Sequence, residues 1–285
     1  MAIESTKQLY DYFFRRLEVY DERERRQITE IVLEYFLDVD RTSILVDSAI
    51  EPVSDELKQD FRNVAKRINA LEPVQYVLGE ARFYGFDFFV TPDVLIPRPE
   101  TEELVDAIQK QYKQTDNPKI IDIGTGSGCI AISLALLLPN ADISALDISE
   151  KAIEIAKDNI EENEVEVKLY CGDVLTNDLP ENEYDVIVSN PPYITEKEKE
   201  LMSSNVLDHE PHLALFVPDD KPLLFYERIA ELGLKSLKKG GKLYFEINEQ
   251  FAKETQAMLV SKGYKNVEVI QDLQDKDRIV VGINQ

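Results

Sequence analysis

The sequence predicts an α/β protein in which a parallel sheet, covered by helices on both faces, follows a small helical bundle. Three observations carry this. The first seventy or so residues of the chain repeat their apolar residues at helical spacing. From Lys119 onward, short apolar runs alternate with helical segments, the signature of βαβ units. The chain then closes on two further strand-like runs, 267–270 and 278–283, that read as a hairpin-like pair.

The bundle comes first. Tyr10, Phe13, Phe14 and Leu17 fall at i, i+3, i+4 and i+7, as do Ile28, Ile31, Val32 and Tyr35, so each set shares one helical face. A third helix is expected from Ser54, an effective N-cap, with Asp55 and Glu56 favouring the positive helix end and Leu57, Phe61, Val64 and Ile68 as its stripe. Three short amphipathic helices must bury their stripes on one another, so residues 1–72 are expected to form a bundle. Residues 73–100 read as a connector. Its run Tyr84 to Val90 is aromatic and β-branched, a hairpin with Gly85 near the bend. Two prolines in Leu95-Ile-Pro-Arg-Pro-Glu100 then hold the backbone extended. Residues 101–285 make the α/β domain. Leu104, Val105 and Ile108 restore helical spacing; strands are expected at 120–123, 143–146, 165–170, 184–188 and 242–247, with helices at 130–138, 149–161 and 222–237.

Composition narrows the function. Of 285 residues, 44% are hydrophobic and 31% charged, the balance of a globular chain. The longest apolar run, 129–139, is too short to span a bilayer, and the N-terminus has no basic-then-apolar signal pattern. Two cysteines, Cys129 and Cys171, with no close pair suit a reducing cytoplasm and argue against a disulfide framework or zinc ribbon. Thirty-two basic against fifty-five acidic residues give a net charge of −23. Such a surface repels phosphate backbones, which disfavours a nucleic-acid substrate and favours a basic protein partner.

The residues that carry chemistry lie at successive strand ends. Asp122-Ile-Gly124-Thr125-Gly126-Ser127-Gly128 follows a strand and opens a helix; its glycines let the backbone approach a ligand. The spacing is GxGxG, neither the dinucleotide GxGxxG nor a P-loop. Asp147 ends the next strand, where a carboxylate can accept from ribose hydroxyls; the competing role is a helix N-cap. Asp173 ends the one after, placed to accept from an adenine amino group. Three strand ends facing one nucleoside, with no cationic cluster for phosphates, suit S-adenosylmethionine better than NAD or ATP.

The next strand ends in Ser189-Asn190-Pro191-Pro192-Tyr193. Two prolines fix the backbone as it leaves the sheet and leave carbonyl acceptors without N–H donors. The Asn190 side-chain oxygen and the Pro191 carbonyl can accept from a planar –NH2 while Tyr193 packs on its plane. Holding a delocalised nitrogen in line with an electrophilic methyl is orientation plus electrostatic preorganisation. Other candidates are weaker. His209 and His212 flank Pro211, which breaks helical metal-ligand spacing, so no metal is expected. The run Glu196-Lys-Glu-Lys-Glu200 reads as a solvated helix start. Arg98 and Glu100 read equally as an ordinary ion pair or as shapers of the pocket.

With these motifs together, the chain resembles the release-factor glutamine N5-methyltransferases, the HemK/PrmC family. The resemblance spans the helical N-terminus, Phe83-Tyr84-Gly85, Ile96-Pro-Arg-Pro-Glu-Thr-Glu102, the glycine loop and Asn190 to Tyr193. Asn-Pro-Pro-Tyr by itself does not choose between glutamine and adenine; the connector followed by Asp-Ile-Gly-Thr-Gly-Ser-Gly is the more specific feature. The resemblance implies a class I S-adenosylmethionine-dependent methyltransferase with a Rossmann-like seven-stranded sheet, its last strand antiparallel, and residues 1–72 as a substrate-recognition domain. It implies that Gly124, Thr125, Gly126, Ser127, Gly128, Asp147, Asp173, Val174 and Asn190 line the cofactor site. Asn190, Pro191, Pro192 and Tyr193 would hold the glutamine of the Gly-Gly-Gln motif of class I peptide chain release factors, with Asn190, Pro191 and Tyr193 as the catalytic group. The alternative is N6-adenine methylation of DNA or RNA, which needs a basic groove that the charge opposes. One stretch, 214–223, lacks glycines expected after Ala-Leu.

Overall fold

The computed structural model describes residues 3–39 and 41–285, and the chain divides into two compact units. The first comprises residues 1–80 together with 203–209; the second comprises 81–202 and 210–285.

In the first unit, helices α1 (Thr6–Phe14), α2 (Glu22–Leu37), α3 (Arg41–Leu45), α4 (Asp55–Asn69) and α5 (Val74–Leu78) enclose one core. Leu9, Phe13, Leu17, Leu33, Phe61 and Ile68 are buried in it. The three expected helices are present, and Ser54 caps α4 by accepting from the Leu57 N–H at 3.0 Å. Two five-residue helices, α3 and α5, were not anticipated, because a single turn is too short to develop a stripe. Leu17 lies past the end of α1 yet is fully buried, whereas Tyr35 is 45% exposed, so the apolar spacing overran one helix and misplaced one ring.

The second unit opens with a hairpin of β1 (Glu80–Phe83) and β2 (Phe86–Phe89). Tyr84 and Gly85, with φ of 51° and 81°, form the two-residue turn between them. Helix α6 (Glu102–Gln109) follows. The alternation is then β3 (Lys119–Ile123), α7 (Cys129–Leu137), β4 (Asp142–Asp147), α8 (Glu150–Glu162), β5 (Lys168–Cys171) and β6 (Tyr184–Ser189). A short β7 (Ile194–Thr195) and β8 (Phe216–Val217) precede α10 (Leu224–Ser236) and β9 (Leu237–Glu246), while helix α9 (Ser204–His209), between β7 and β8 in sequence, belongs to the first unit. The chain closes with α11 (Ala252–Lys262), β10 (Lys265–Gln271) and β11 (Asp277–Ile283).

Seven strands form one sheet in the order β10-β11-β9-β6-β3-β4-β5, with β11 antiparallel to both neighbours, the topology the resemblance implied. The strands are apolar on both sides because both sides are covered. Ile120, Val186, Val188 and Tyr244 enter a core with α6 and α7, while Ile121, Ile187, Leu243 and Phe245 enter one with α10 and α11. Chain order runs outward from β3 to β5 and then returns to β6 on the other side of β3. That reversal opens a crevice at the carboxyl ends of β3 and β6, where ligands of such sheets bind.

Candidate active site

The glycine loop leaves β3 with Gly124, Gly126 and Gly128 at φ of 76°, 56° and 84°. A left-handed backbone favours glycine at each, but the three serve different ends. A Cβ on Gly124 or Gly126 would meet nothing within 4 Å, so both present bare backbone to open space. On Gly128 it would stand 2.9 Å from Ile132 Cδ1, so this glycine permits close packing at the start of α7. The loop is anchored from β4: the Gly124 and Thr125 N–H groups donate to the Leu146 carbonyl at 2.8 and 3.1 Å. Thr125 is buried and its hydroxyl donates to Asp122 Oδ2 at 2.6 Å. Burial pushes the Asp122 carboxyl up to about 7, with the Asp147 charge adding to the rise against that hydrogen bond.

Asp147 does not cap α8; Ser149 does, accepting from the Ala152 N–H. Instead its Oδ2 accepts from Gly126 N–H and its Oδ1 from Ser149 N–H, both at 2.9 Å. The carboxylate also lines the cavity, where a carboxylate acts only as an acceptor. Asp173 begins a turn rather than a helix, accepting from the Leu175 N–H at 2.8 Å. That turn is held from α10, where Arg228 donates to the carbonyls of Val174 and Asn177.

At the end of β6, the Ser189 hydroxyl donates to the Ile123 carbonyl at 2.6 Å and locks the two central strand ends together. Asn190 follows, and its Nδ2 donates to Thr101 Oγ1 at 3.2 Å. Thr101 in turn donates to Glu246 Oε2 at 2.7 Å, and Tyr193 donates to Glu246 Oε1 at 3.2 Å. Thr101 and Glu246 are buried, at 3% and 1% exposure. The Tyr193 ring packs on the core beneath α10, so its phenol is engaged with the sheet. The chain leaving Tyr193 is secured by Asn248, which donates to the Tyr193 carbonyl and to Glu198.

Several polar residues in and just after the connector have structural partners. Arg98 pairs with Glu210 at 2.6 Å, not with Glu100 as its sequence neighbour suggested. The Glu210 carboxylate is 1% exposed and also accepts from the Ile96 N–H, so this ion pair is internal and ties the connector down. Glu102 accepts from the Tyr84 N–H at 2.7 Å and Glu103 from the Leu273 N–H at 3.0 Å. The Glu196–Glu200 run is a 3-10 segment, and it is not wholly solvated: Glu198 caps it at Thr195 and reaches Asn248. The glycine-poor 214–223 stretch supplies β8, which pairs with β7 directly after the Asn190 motif.

A cavity of about 320 Å³ occupies this crevice. Gly124, Gly126, Asp147, Asp173, Val174, Asn190, Pro191 and Pro192 line it together with Leu95, Ile148, Leu213 and Phe225. Thr125, Ser127, Gly128 and Tyr193 stand off the lining, in the layer that supports it. Among the described residues, Asp93, Asp147 and Asp173 face the cavity and no Lys or Arg does. The donor set therefore fits S-adenosylmethionine: bare glycine backbone, carboxylate acceptors for hydroxyl and amino groups, an apolar wall, and no counter-charge for phosphate. Thr101, Glu246 and Glu210 were not read from sequence as site residues, because each meets its partner more than eighty residues away in the chain.

Sheet, crevice and donor set define a class I S-adenosylmethionine-dependent methyltransferase. Two solved structures share the fold: a Pyrococcus furiosus methyltransferase, with TM-score 0.52 and 19% identity over 78% of this chain and 98% of that one, and a T. thermophilus 16S rRNA N2 G1207 methyltransferase in complex with AdoMet and guanosine, with TM-score 0.53 and 16% identity over 72% of this chain and 50% of that one. The Methyltransferase small domain model matches residues 99–212, and the PrmC N-terminal domain model matches 8–79. The Bacteroides thetaiotaomicron release factor glutamine methyltransferase is 47% identical over 92% of this chain and 94% of its own length. Its Flavobacterium psychrophilum counterpart is 43% identical over 92% and 93%. The chain belongs to the release factor glutamine methyltransferase family.

Proposed function

We propose that this enzyme transfers the methyl group of S-adenosylmethionine to the side-chain amide nitrogen of the glutamine in the Gly-Gly-Gln motif of class I peptide chain release factors. The observation that carries the reading is the state of the Asn190 amide. Its Nδ2 is committed to Thr101, which leaves Oδ1 as the acceptor at the cavity, beside Pro191. When bound, S-adenosylmethionine supplies an electrophilic methyl group on a sulfonium. Gly124, Gly126, Asp147, Asp173 and Val174 would hold it.

Asn190 Oδ1 and the Pro191 carbonyl accept the two N–H bonds of the substrate amide and fix its plane. Their negative ends favour the nitrogen as its lone pair leaves conjugation to form the N–C bond. The methyl–sulfur bond breaks as that bond forms, and the extra amide proton leaves to water. No side chain need act as a strong base. Tyr193, Thr125, Ser127 and Gly128 act from behind this surface. The helical residues 1–72 are assigned to recognition of the folded factor, which meets the enzyme in the cytoplasm. No helix among the described residues is long and apolar enough to cross a membrane.

Adenine methylation uses the same clamp but is disfavoured by the −23 charge. Mass spectrometry of a release factor incubated with enzyme and S-adenosylmethionine tests the reading. A single added methyl on the glutamine side chain is expected; an unmodified Gly-Gly-Gln peptide alongside methyladenine in added DNA or RNA would reverse it.

A further inference from the structure

We propose that Thr101 and Glu246 are positioning residues for methyl transfer, forming a buried relay that dictates which end of the Asn190 amide faces the substrate. The proposal rests on the glutamine-amide reading above and adds residues to it that touch neither ligand.

A primary amide is nearly symmetric in shape but not in chemistry. With Oδ1 toward the substrate, Asn190 accepts from an –NH2; turned over, it would oppose that group donor to donor. Nothing intrinsic to asparagine selects between the two, so a neighbour must. Thr101 Oγ1 lies 3.2 Å from Asn190 Nδ2 and has one proton to give. Glu246 takes that proton: its carboxylate, able only to accept, lies 2.7 Å away. Thr101 then has only lone pairs left for Asn190, so Nδ2 must turn toward Thr101 and Oδ1 toward the cavity. The second carboxylate oxygen receives the Tyr193 hydroxyl and so ties the far end of the same four-residue motif. One buried anion thus sets the direction of every hydrogen bond in the relay.

The relay reverses when Glu246 takes a proton. A neutral carboxyl can donate to Thr101, which frees the threonine proton for Asn190 Oδ1 and turns the amide over. Several groups act on that proton. Burial raises the carboxyl's affinity for it and Glu100, beside Thr101, adds to the rise. Arg278 on β11 opposes them, as do the Thr101 and Tyr193 hydrogen bonds. The Arg278 guanidinium is itself shared with Asp272 at 2.9 Å. Behind the carboxylate, the Tyr226 hydroxyl donates to the Glu246 carbonyl, and the buried, neutral Cys129 thiol feels its charge. The net effect is a carboxyl that protonates above the usual glutamate range, so wild-type kcat should fall on an acidic limb.

Three full-length variants, Thr101→Val, Thr101→Ser and Glu246→Gln, are assayed on a Gly-Gly-Gln peptide from pH 5 to 9, with S-adenosylmethionine affinity measured by calorimetry. Thr101→Val keeps the side-chain volume but severs the relay; kcat is expected to fall roughly 10- to 100-fold, with cofactor affinity within about twofold of wild type. Thr101→Ser restores the hydroxyl and should recover most of kcat. Glu246→Gln, which cannot ionise, should lose the acidic limb whatever its plateau. Wild-type kcat in Thr101→Val, equal losses in the valine and serine variants, or an unchanged acidic limb in Glu246→Gln would each overturn the relay. Failure of the wild-type enzyme to methylate the peptide would instead overturn the reading on which it rests.

Discussion

Asn190 and Asp147 both line the cavity, and the proposed reaction gives them different halves of the work. Asp147 holds the glycine loop through Gly126 N–H and lines the cavity where the proposed reading places the cofactor. Removing it as Asp147→Ala takes away a charge-assisted hydrogen bond to the cofactor worth about 1.5–3 kcal/mol. Cofactor affinity should therefore drop roughly 10- to 100-fold. Asn190→Ala leaves the loop intact and removes an acceptor that matters most as charge develops. Its kcat should fall on the order of 100-fold, with a smaller change in cofactor affinity. Calorimetry with S-adenosylmethionine beside single-turnover kinetics separates the two, and the assignment fails if both variants lose the same quantity. At this scale the sequence was partly legible. Asn190, Asp147 and Asp173 announce themselves by ending strands. Glu246 also ends a strand, but a lone glutamate there reads as an ordinary polar terminus; only its pairing with Thr101, 145 positions away, reveals its use. Arg98 misled for the same reason, since a nearby glutamate in sequence is easier to see than Glu210 across a fold.

Elements were most legible where burial is two-sided. The central strands read as unbroken apolar runs because each alternate residue meets a different helical layer, and their expected positions agree with β3, β4 and β6 to within one residue, while β9 begins five residues earlier, at Leu237, than the expected 242. Strand β5, half-exposed at the sheet edge, starts at Lys168 rather than Val165, since an edge strand lacks the second face that sharpens the pattern. The two-residue β7 and β8 carry no periodicity at all. The junction of β3 with the glycine loop supplies a prediction of its own. Asp122 is fully buried with a carboxyl pushed up to about 7, against an ordinary 3.8. Between those values the native state holds a proton that the unfolded chain has released. The contribution of Asp122 to stability therefore falls as pH rises from about 4 to about 7 and levels off above. Asp122→Asn removes the titration and should flatten the slope by a few kcal/mol between pH 5 and 8, whatever its fixed offset. Asp147, also raised by burial, keeps a residual slope of the same sign. Thermal melts of both proteins across that range test this; parallel curves would mean that Asp122 is ionised throughout.

For the whole molecule the dominant quantity is the charge of −23. It is visible in composition alone, whereas the division into two units is not fully so: helical spacing ends the expected bundle at residue 72, and the first compact unit runs to residue 80 and also takes in 203–209, a segment far away in sequence. No composition shift marks a segment that short. The charge has a consequence that local chemistry does not share. A field of this sign attracts a basic surface over distances near the Debye length, about 8 Å at physiological salt and about 3 Å at 1 M. Encounter with a folded release factor should therefore be salt-sensitive, while the clamp on a glutamine amide, which carries no charge, should not be. Raising NaCl from 50 to 500 mM is expected to lower kcat/KM for the intact factor about tenfold or more, mainly through KM. For a short, neutral Gly-Gly-Gln peptide the same change should alter kcat/KM by less than about twofold, since only the clamp is engaged. Equal salt dependence for peptide and protein would locate the effect in the cavity instead. A gain with salt for the intact factor would show that the acidic surface repels its substrate, and the charge would then serve solubility alone.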